Sequence, residues 1–399
     1  MVLLPEDQVL MMPGDAYPPV GVGEEVADVF RAAYYYALTD GRKVVVPSQL
    51  LVAAARNDDR AARLLGPKIA EARTAIPMRE DQETTVAAGS SGAGYAGVLR
   101  EARWWVRRAN PAPASDIVPV WSGSVGAALV RSADLARAAG VSRLDVPHLL
   151  LGLLDPTEPS VTALTESVGV TMAAVRRQIG AADLGVEPAP FAPLIDPMRV
   201  AGAAQSRGPW LVRWIPALVA RITSREAKWR GPILACLERE VMRQAVLVGH
   251  DVVQSSSVLL AIVSLDVQLA AVGERLRTPF LPHNQGGRLL IEVGFDFTRA
   301  QSVAELLAEV ERETLPASES ATRFWDTGKP GDPLWSTAAV HNMDQATSIA
   351  RECGHHDAGT SHLLAAALQE GGAAARLLTN LSLDKEELLH RVLRSVAES

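Results

Sequence analysis

The chain has 399 residues, 48% of them hydrophobic and 21% charged, which excludes a disordered or fibrous protein and gives room for two domains, each with its own core. A formal net charge of -7 excludes a general nucleic-acid binder, because phosphate binding needs a clustered positive surface. Two distant cysteines, Cys236 and Cys353, cannot build a disulfide framework, and no apolar run reaches the ~18 residues of a membrane span.

In chain order, Met1 to Pro19 carries prolines and acids where a signal peptide would have a basic start and an apolar run, so it reads as an extension of a cytoplasmic protein. A helical pattern runs from Val26 through Gly41 to Ser48-Gln49-Leu50-Leu51 and Leu64-Leu65. Thr84 to Gly97, rich in Gly, Ser and Ala, is expected to be a loop. The basic run Arg100, Arg103, Arg107 and Arg108, with Trp104 and Trp105, is expected to be a solvated helix face. From Trp121 to about residue 180 the spacing predicts four short helices, the first closed by Gly140 and the second opening near Val146-Pro147.

Residues 181–209 hold many prolines and make the best domain boundary. Trp210 to Thr223 has the pattern of an amphipathic helix interrupted by Pro216. Trp210, Trp214 and Trp229 either dock two halves together or form a hot spot for a partner. Leu234 through Gly249 to Ser257-Val258-Leu259-Leu260 and Val272 is again helical, Gly287 to Phe297 has an alternation that predicts a short β-hairpin near 287–297, and 316–334 reads as linker. From Trp335 the four-helix pattern returns, with Gly354 closing the first helix, Thr360-Ser361 opening the second, and Asp384 with Glu387 forming a capping box for the last.

The two strong patterns are copies of each other. At a constant offset of 214, residues 121–165 and 335–379 share eleven identities in 45 ungapped positions. Among them are Trp121-Ser122 with Trp335-Ser336, Gly140 with Gly354, and His148-Leu149-Leu150 with His362-Leu363-Leu364. The order weak, strong, weak, strong points to duplication of a two-repeat unit. An all-α fold of two tandem double repeats follows, with residues 1–19 as an N-terminal extension, 20–185 as the first domain, 186–209 as a Pro-rich linker and 210–399 as the second domain.

An aromatic followed by a hydroxyl residue, an Ala-rich helix, a Gly turn and a His-Leu-Leu helix start resemble the Clp N-terminal repeat. In that family two repeats form one compact helical domain in front of a ring-forming ATPase, where it receives substrates and adaptors. Some members bind phosphorylated arginine through the hydroxyl at the repeat start and an acid just before the His. Ser122 and Ser336 match the hydroxyl, but Pro147 and Ser361 stand at the acid position, with Ser48 and Ser257 in the weaker copies. A guanidinium fork needs a carboxylate there. No phosphate-binding Gly-x-x-x-x-Gly-Lys-Ser/Thr loop occurs, Thr327-Gly328-Lys329-Pro330 being the nearest string, so no ATPase module is expected.

Cys353, His355, His356, Asp357 and His362 are residue types that ligate zinc. The sister copy has Ala139, Val141, Ser142 and Arg143 at the first four of these positions, so the scaffold needs no metal, and neither metal nor cofactor is expected. His148 and His362 read as structural, no Gly-x-Ser-x-Gly elbow or His-Glu-x-x-His pair occurs, and no enzyme activity is expected. The candidate partner-binding residues are Trp121, Ser122, His148, Trp335, Ser336 and His362. The resemblance implies a stand-alone protein-binding module of the Clp proteolysis system, an adaptor or a decoy of the unfoldase N-domain, whose partners are Clp components or their substrates. The alternative is a regulatory protein that sequesters a peptide-like small molecule. Neither nucleic acid nor membrane is an expected partner.

Overall fold

Each repeat runs through a long helix and re-enters helix after a tight turn, and the first, second and fourth open with two extended residues. In the first half these are β1 (Gly21–Val22), α1 (Glu24–Thr39), β2 (Val44–Val45), α2 (Pro47–Asn57), α3 (Asp59–Leu65) and α4 (Pro67–Glu71). After α5 (Ala93–Ala109) come β3 (Val120–Trp121), α6 (Gly123–Ala138), β4 (Arg143–Leu144), α7 (Val146–Leu153), α8 (Pro159–Ser167) and α9 (Met172–Gly180). The computed structural model describes residues 20–72, 93–110, 118–180, 184–205, 231–307, 310–319, 324 and 327–398. Trp210, Trp214 and Trp229, the helix expected over Trp210 to Thr223 and the extension 1–19 lie outside the described residues.

The chain continues with α10 (Ile195–Val200), α11 (Gly231–Val248), β5 (Val252–Val253), α12 (Ser255–Ala271), α13 (Gly286–Glu292) and α14 (Phe297–Leu306). It ends with β6 (Leu334–Trp335), α15 (Thr337–Glu352), α16 (Thr360–Glu370), α17 (Gly372–Asn380) and α18 (Lys385–Glu398). The all-α expectation stands, with two-residue strands as its minor β component. α6 and α15 both end on a left-handed glycine, Gly140 and Gly354, each with φ 77°. The Asp384 carboxylate accepts the Glu386 and Glu387 N–H groups at the start of α18.

The strands join the repeats crosswise. β1 pairs in parallel with β4, and β2 with β3, so the start of each repeat lies beside the turn of the other. In the second half β5 pairs with β6 in the same way. These contacts fix the repeats as a pair: neither can close its own strand edge alone.

Two apolar clusters fill the described residues. The first gathers residues from Val20 to Ile179. The second runs from Leu194 to Val396 around α12, where every residue from Ser255 to Leu265 is buried. A helix apolar on all sides is the signature of a central element. α5 serves both clusters, with Leu99, Ala102 and Val106 in the first and Trp104 in the second.

Several expectations are corrected. Two members of the basic run on α5 are not on a solvated face: Arg108 is buried and paired with Asp332 at 2.6 Å, and Arg100 reaches the Val246 and Leu247 carbonyls and Glu305. Burying these cations is tolerable because each has fixed acceptors. Within Thr84 to Gly97, residues from Ala93 onward are helical. The hairpin expected at 287–297 is helix through Glu292, with α14 starting at Phe297. Gly286 and Gly287 decide this. A Cβ on the first would strike the Thr360 carbonyl and on the second the Asp266 carboxylate, so only a glycine-faced helix packs this closely. In the expected linker, Leu194, Ile195, Met198, Ala203 and Ala204 are buried in the second cluster.

Candidate functional site

The dipeptide Trp-Ser starts the strong repeat of each half, and its surroundings differ between them. Ser336 is the N-cap of α15, its hydroxyl accepting the Ala339 N–H at 3.0 Å. The same hydroxyl donates to Glu311 at 2.9 Å. The Glu311 carboxylate also accepts the Ser255 N–H at 2.8 Å, the Ser255 hydroxyl, and the Ala373 N–H at 2.9 Å. Glu311 therefore sits where the N-termini of α12, α15 and α17 converge, and satisfies donors that helix ends leave open. Trp335 is 1% exposed and stacks on Phe324 with centroids 4.1 Å apart.

In the first half Trp121 is half-buried, lies edge-on to Phe30 at 6.2 Å and beside Tyr34 at 5.6 Å, and donates its indole N–H to the Leu99 carbonyl at 3.0 Å. Ser122 is buried, and its hydroxyl shares a 2.9 Å hydrogen bond with Ser124. The repeats thus bring Trp121 to Ser122 and Trp335 to Ser336 in separate places, one in each half.

The helix-start histidines are structural. His148 Nδ1 accepts the Asp145 N–H at 3.3 Å and His362 Nδ1 accepts the Gly359 N–H at 2.9 Å, the reciprocal half of a capping box. Gln49 does the same for Val46 at 2.9 Å. Burial holds His148 below the usual histidine range. His362 is held down to about 4, by burial first and then by the nearby His355 and His283.

Of the residues grouped with it by sequence, His362 meets only His355 in this cluster, and the third member is the distant His283. His355 Nδ1 lies 2.9 Å from His362 Nε2, and the His283 and His355 rings are 4.1 Å apart. Cys353 is exposed, and the exposed His356 pairs with Asp357. The three rings have the spacing of a metal cluster, but the hydrogen bonding opposes one. With Nδ1 of His362 accepting an amide proton, the neutral ring carries its own proton on Nε2 and donates it to His355. With Nδ1 taken by the Gly359 N–H, His362 could bind a metal only through Nε2, which needs the reverse tautomer with Nδ1 as donor.

At the family's acid position, Ser361 accepts the Gln285 N–H at 3.1 Å and Thr360 accepts the Gly286 N–H at 3.1 Å, both holding the start of α13. Burial pushes the Cys236 thiol up to about 12, which leaves it without nucleophilic character at neutral pH. Glu311 and His283 escaped sequence reasoning because both act from segments outside the repeats, where no spacing marks them. Gln49 was legible, since it occupies the histidine position of the strong copies.

Among the described residues, no helix is long and apolar enough to cross a membrane. Residues 335–398 match the family model of the Clp repeat (R) N-terminal domain. Over 203 residues, 50% of this chain, the sequence is 27% identical to the protein named ATP-dependent Clp protease ATP-binding subunit ClpA homolog CD4B, chloroplastic, of Solanum lycopersicum. It is likewise 27% identical over 203 residues to chaperone protein ClpC, chloroplastic, of Pisum sativum. Each match takes up 18% of the relative, so the chain spans less than a fifth of the length of these proteins.

Proposed function

We propose, from the Clp repeat at residues 335–398, that this chain is a protein-binding module of the Clp proteolysis system that works without a chemical step, as an adaptor or as a decoy of the unfoldase N-domain. The observation that carries this reading is that match, together with a repeat start of the same kind, Trp121-Ser122, in the first half. Supporting it, the histidines at the helix starts use Nδ1 to cap the backbone of their own helix, a structural task. Glu311 places a carboxylate on the Ser336 hydroxyl, and such a charge repels a phosphate group, so the reading does not include phosphoarginine at that position. Two double-repeat units, about 20–185 and 210–399, are part of the proposal, with residues 194–204 going with the second.

The test uses purified components. The full chain is titrated into the source organism's Clp unfoldase ring, and degradation of a model client by the assembled protease is followed. A complex that changes the rate or choice of client supports the reading. No complex at tens of micromolar, with client degradation unchanged, would sink it.

A further inference from the structure

Two repeat starts in this chain already hold an extended segment against their outer edge. At α1, Pro190 bridges Gly23 in antiparallel sense and the Ala189 carbonyl accepts the Glu24 N–H at 3.2 Å. At α15, Thr314 bridges Ser336, the Glu313 carbonyl accepts the Thr337 N–H at 2.8 Å, and the Leu315 N–H donates to the Trp335 carbonyl at 2.9 Å. Each time the accepting carbonyl serves the first helical residue, whose N–H has no partner within its own helix. Each time a glutamate stands three residues ahead of the bridging residue, and its carboxylate takes both the N–H and the hydroxyl of one serine. Glu187 takes those of Ser142 at 2.8 and 2.6 Å, and Glu311 those of Ser255.

The start of α6 is built alike. Ser122 has the same extended N-cap backbone (φ −71°, ψ 154°) as Ser336 (φ −66°, ψ 149°), and β3 has the same parallel partner on its inner side. Its outer edge, the Trp121 carbonyl and the Gly123 N–H, makes no backbone hydrogen bond among the described residues. The ground around it is basic. Arg103 and Arg107 follow Leu99 at one-turn intervals on α5, and their charge reaches Tyr34, which donates to the Pro119 carbonyl just before β3. Neither arginine has an ion pair among the described residues, and Lys43 is exposed immediately before β2.

We infer that the outer edge of β3 receives an extended acidic segment of a partner protein, paired antiparallel as residues 189–190 pair at β1 and 313–315 at β6. A carbonyl of the segment takes the Gly123 N–H, the N–H two residues later donates to the Trp121 carbonyl, and its carboxylates face Arg103, Arg107 and Lys43. Backbone pairing supplies the affinity and the charges supply the selection. This rests on the protein-binding reading above, but not on the partner being a Clp subunit.

The experiment measures fluorescence anisotropy of a labelled peptide with the sequence of residues 310–317, titrated with the full chain. Gly123→Pro deletes the one N–H while suiting the first position of a helix, and the extended Ser122 before it tolerates a proline. Losing that bond should weaken binding about tenfold. Gly123→Ala keeps the N–H and should bind within about twofold of the original, whereas R103E/R107E, or glutamines in place of the peptide glutamates, should weaken it. Equal binding by Gly123→Pro, or no saturable binding to the original chain at millimolar peptide, overturns the inference. Should Gly123→Pro not fold, exchange of the Gly123 amide in the original chain decides the matter: peptide must slow it, and an unchanged rate overturns the inference. Peptide binding that survives without any unfoldase complex removes the Clp reading alone. An unfoldase complex without peptide binding removes the edge site alone.

Discussion

The two halves start their strong repeats with the same Trp-Ser dipeptide and treat it differently. In the second half Trp335 is sealed under Phe324, and Ser336 is tied to Glu311 from a segment outside the repeat. In the first half Trp121 keeps part of its surface, and the Ser122 hydroxyl shares a hydrogen bond with its near neighbour Ser124. The repeat supplies a socket, and what fills it comes from elsewhere in the chain. A duplicated scaffold can thus close one copy and leave another less enclosed, with no change in the shared residues.

The largest expected effect tests the sealing itself. Trp335→Ala should lower stability by about 4 kcal/mol and Trp121→Ala by about 2 kcal/mol, since removal of a fully enclosed ring leaves a cavity while a half-covered one leaves less. Chemical denaturation of both variants checks the ratio, and equal losses would break the comparison. Next comes pH. A His362 pKa held at about 4 against an ordinary 6.5 means that the unfolded chain binds the proton first as pH falls, so stability drops through that window. At about 1.4 kcal/mol per pKa unit the loss reaches about 3 kcal/mol. Asp266, its carboxyl pushed up to about 6 by burial, acts in the opposite sense over overlapping pH, so the informative quantity is the difference between the original chain and His362→Gln. That variant should retain the cap, as Gln49 does, and lose the acid sensitivity; parallel stability curves would refute the assignment.

Smaller is Glu311→Gln, which turns an amide N–H₂ toward donors and should cost about 2 kcal/mol, with faster amide exchange at Ser255 and Ala373. Smallest is Gln49→His, which places the residue of the strong copies in the weak one. It should change the denaturation midpoint by less than about 1 kcal/mol, because both side chains accept the same amide.

Helix existence was readable from the strong copies because apolar spacing, a closing glycine and a capping residue all agree there. Reading failed at Gly286 and Gly287, whose local preference is against helix. Packing against α12 and Thr360 overrode it. Reading failed again at Arg100 and Arg108 of α5, which look like part of a surface face and are held by Glu305, Asp332 and backbone carbonyls from far along the chain. Of the candidate site, Trp121, Ser122, His148, Trp335, Ser336 and His362 were legible through repetition, and the capping role of the two histidines follows from their place three residues past the N-cap.

The sequence by itself determined the repeats, the all-α class and the helix ends, since these depend on spacing and on residues within one turn of each other. Only the tertiary structure decided that Glu311 closes the second-half socket, that His283 completes the imidazole cluster, and that the outer edge of β3 makes no backbone hydrogen bond among the described residues. Each depends on which distant segment reaches a given helix end, and that is settled by the burial of whole helices around α12, not by any local preference.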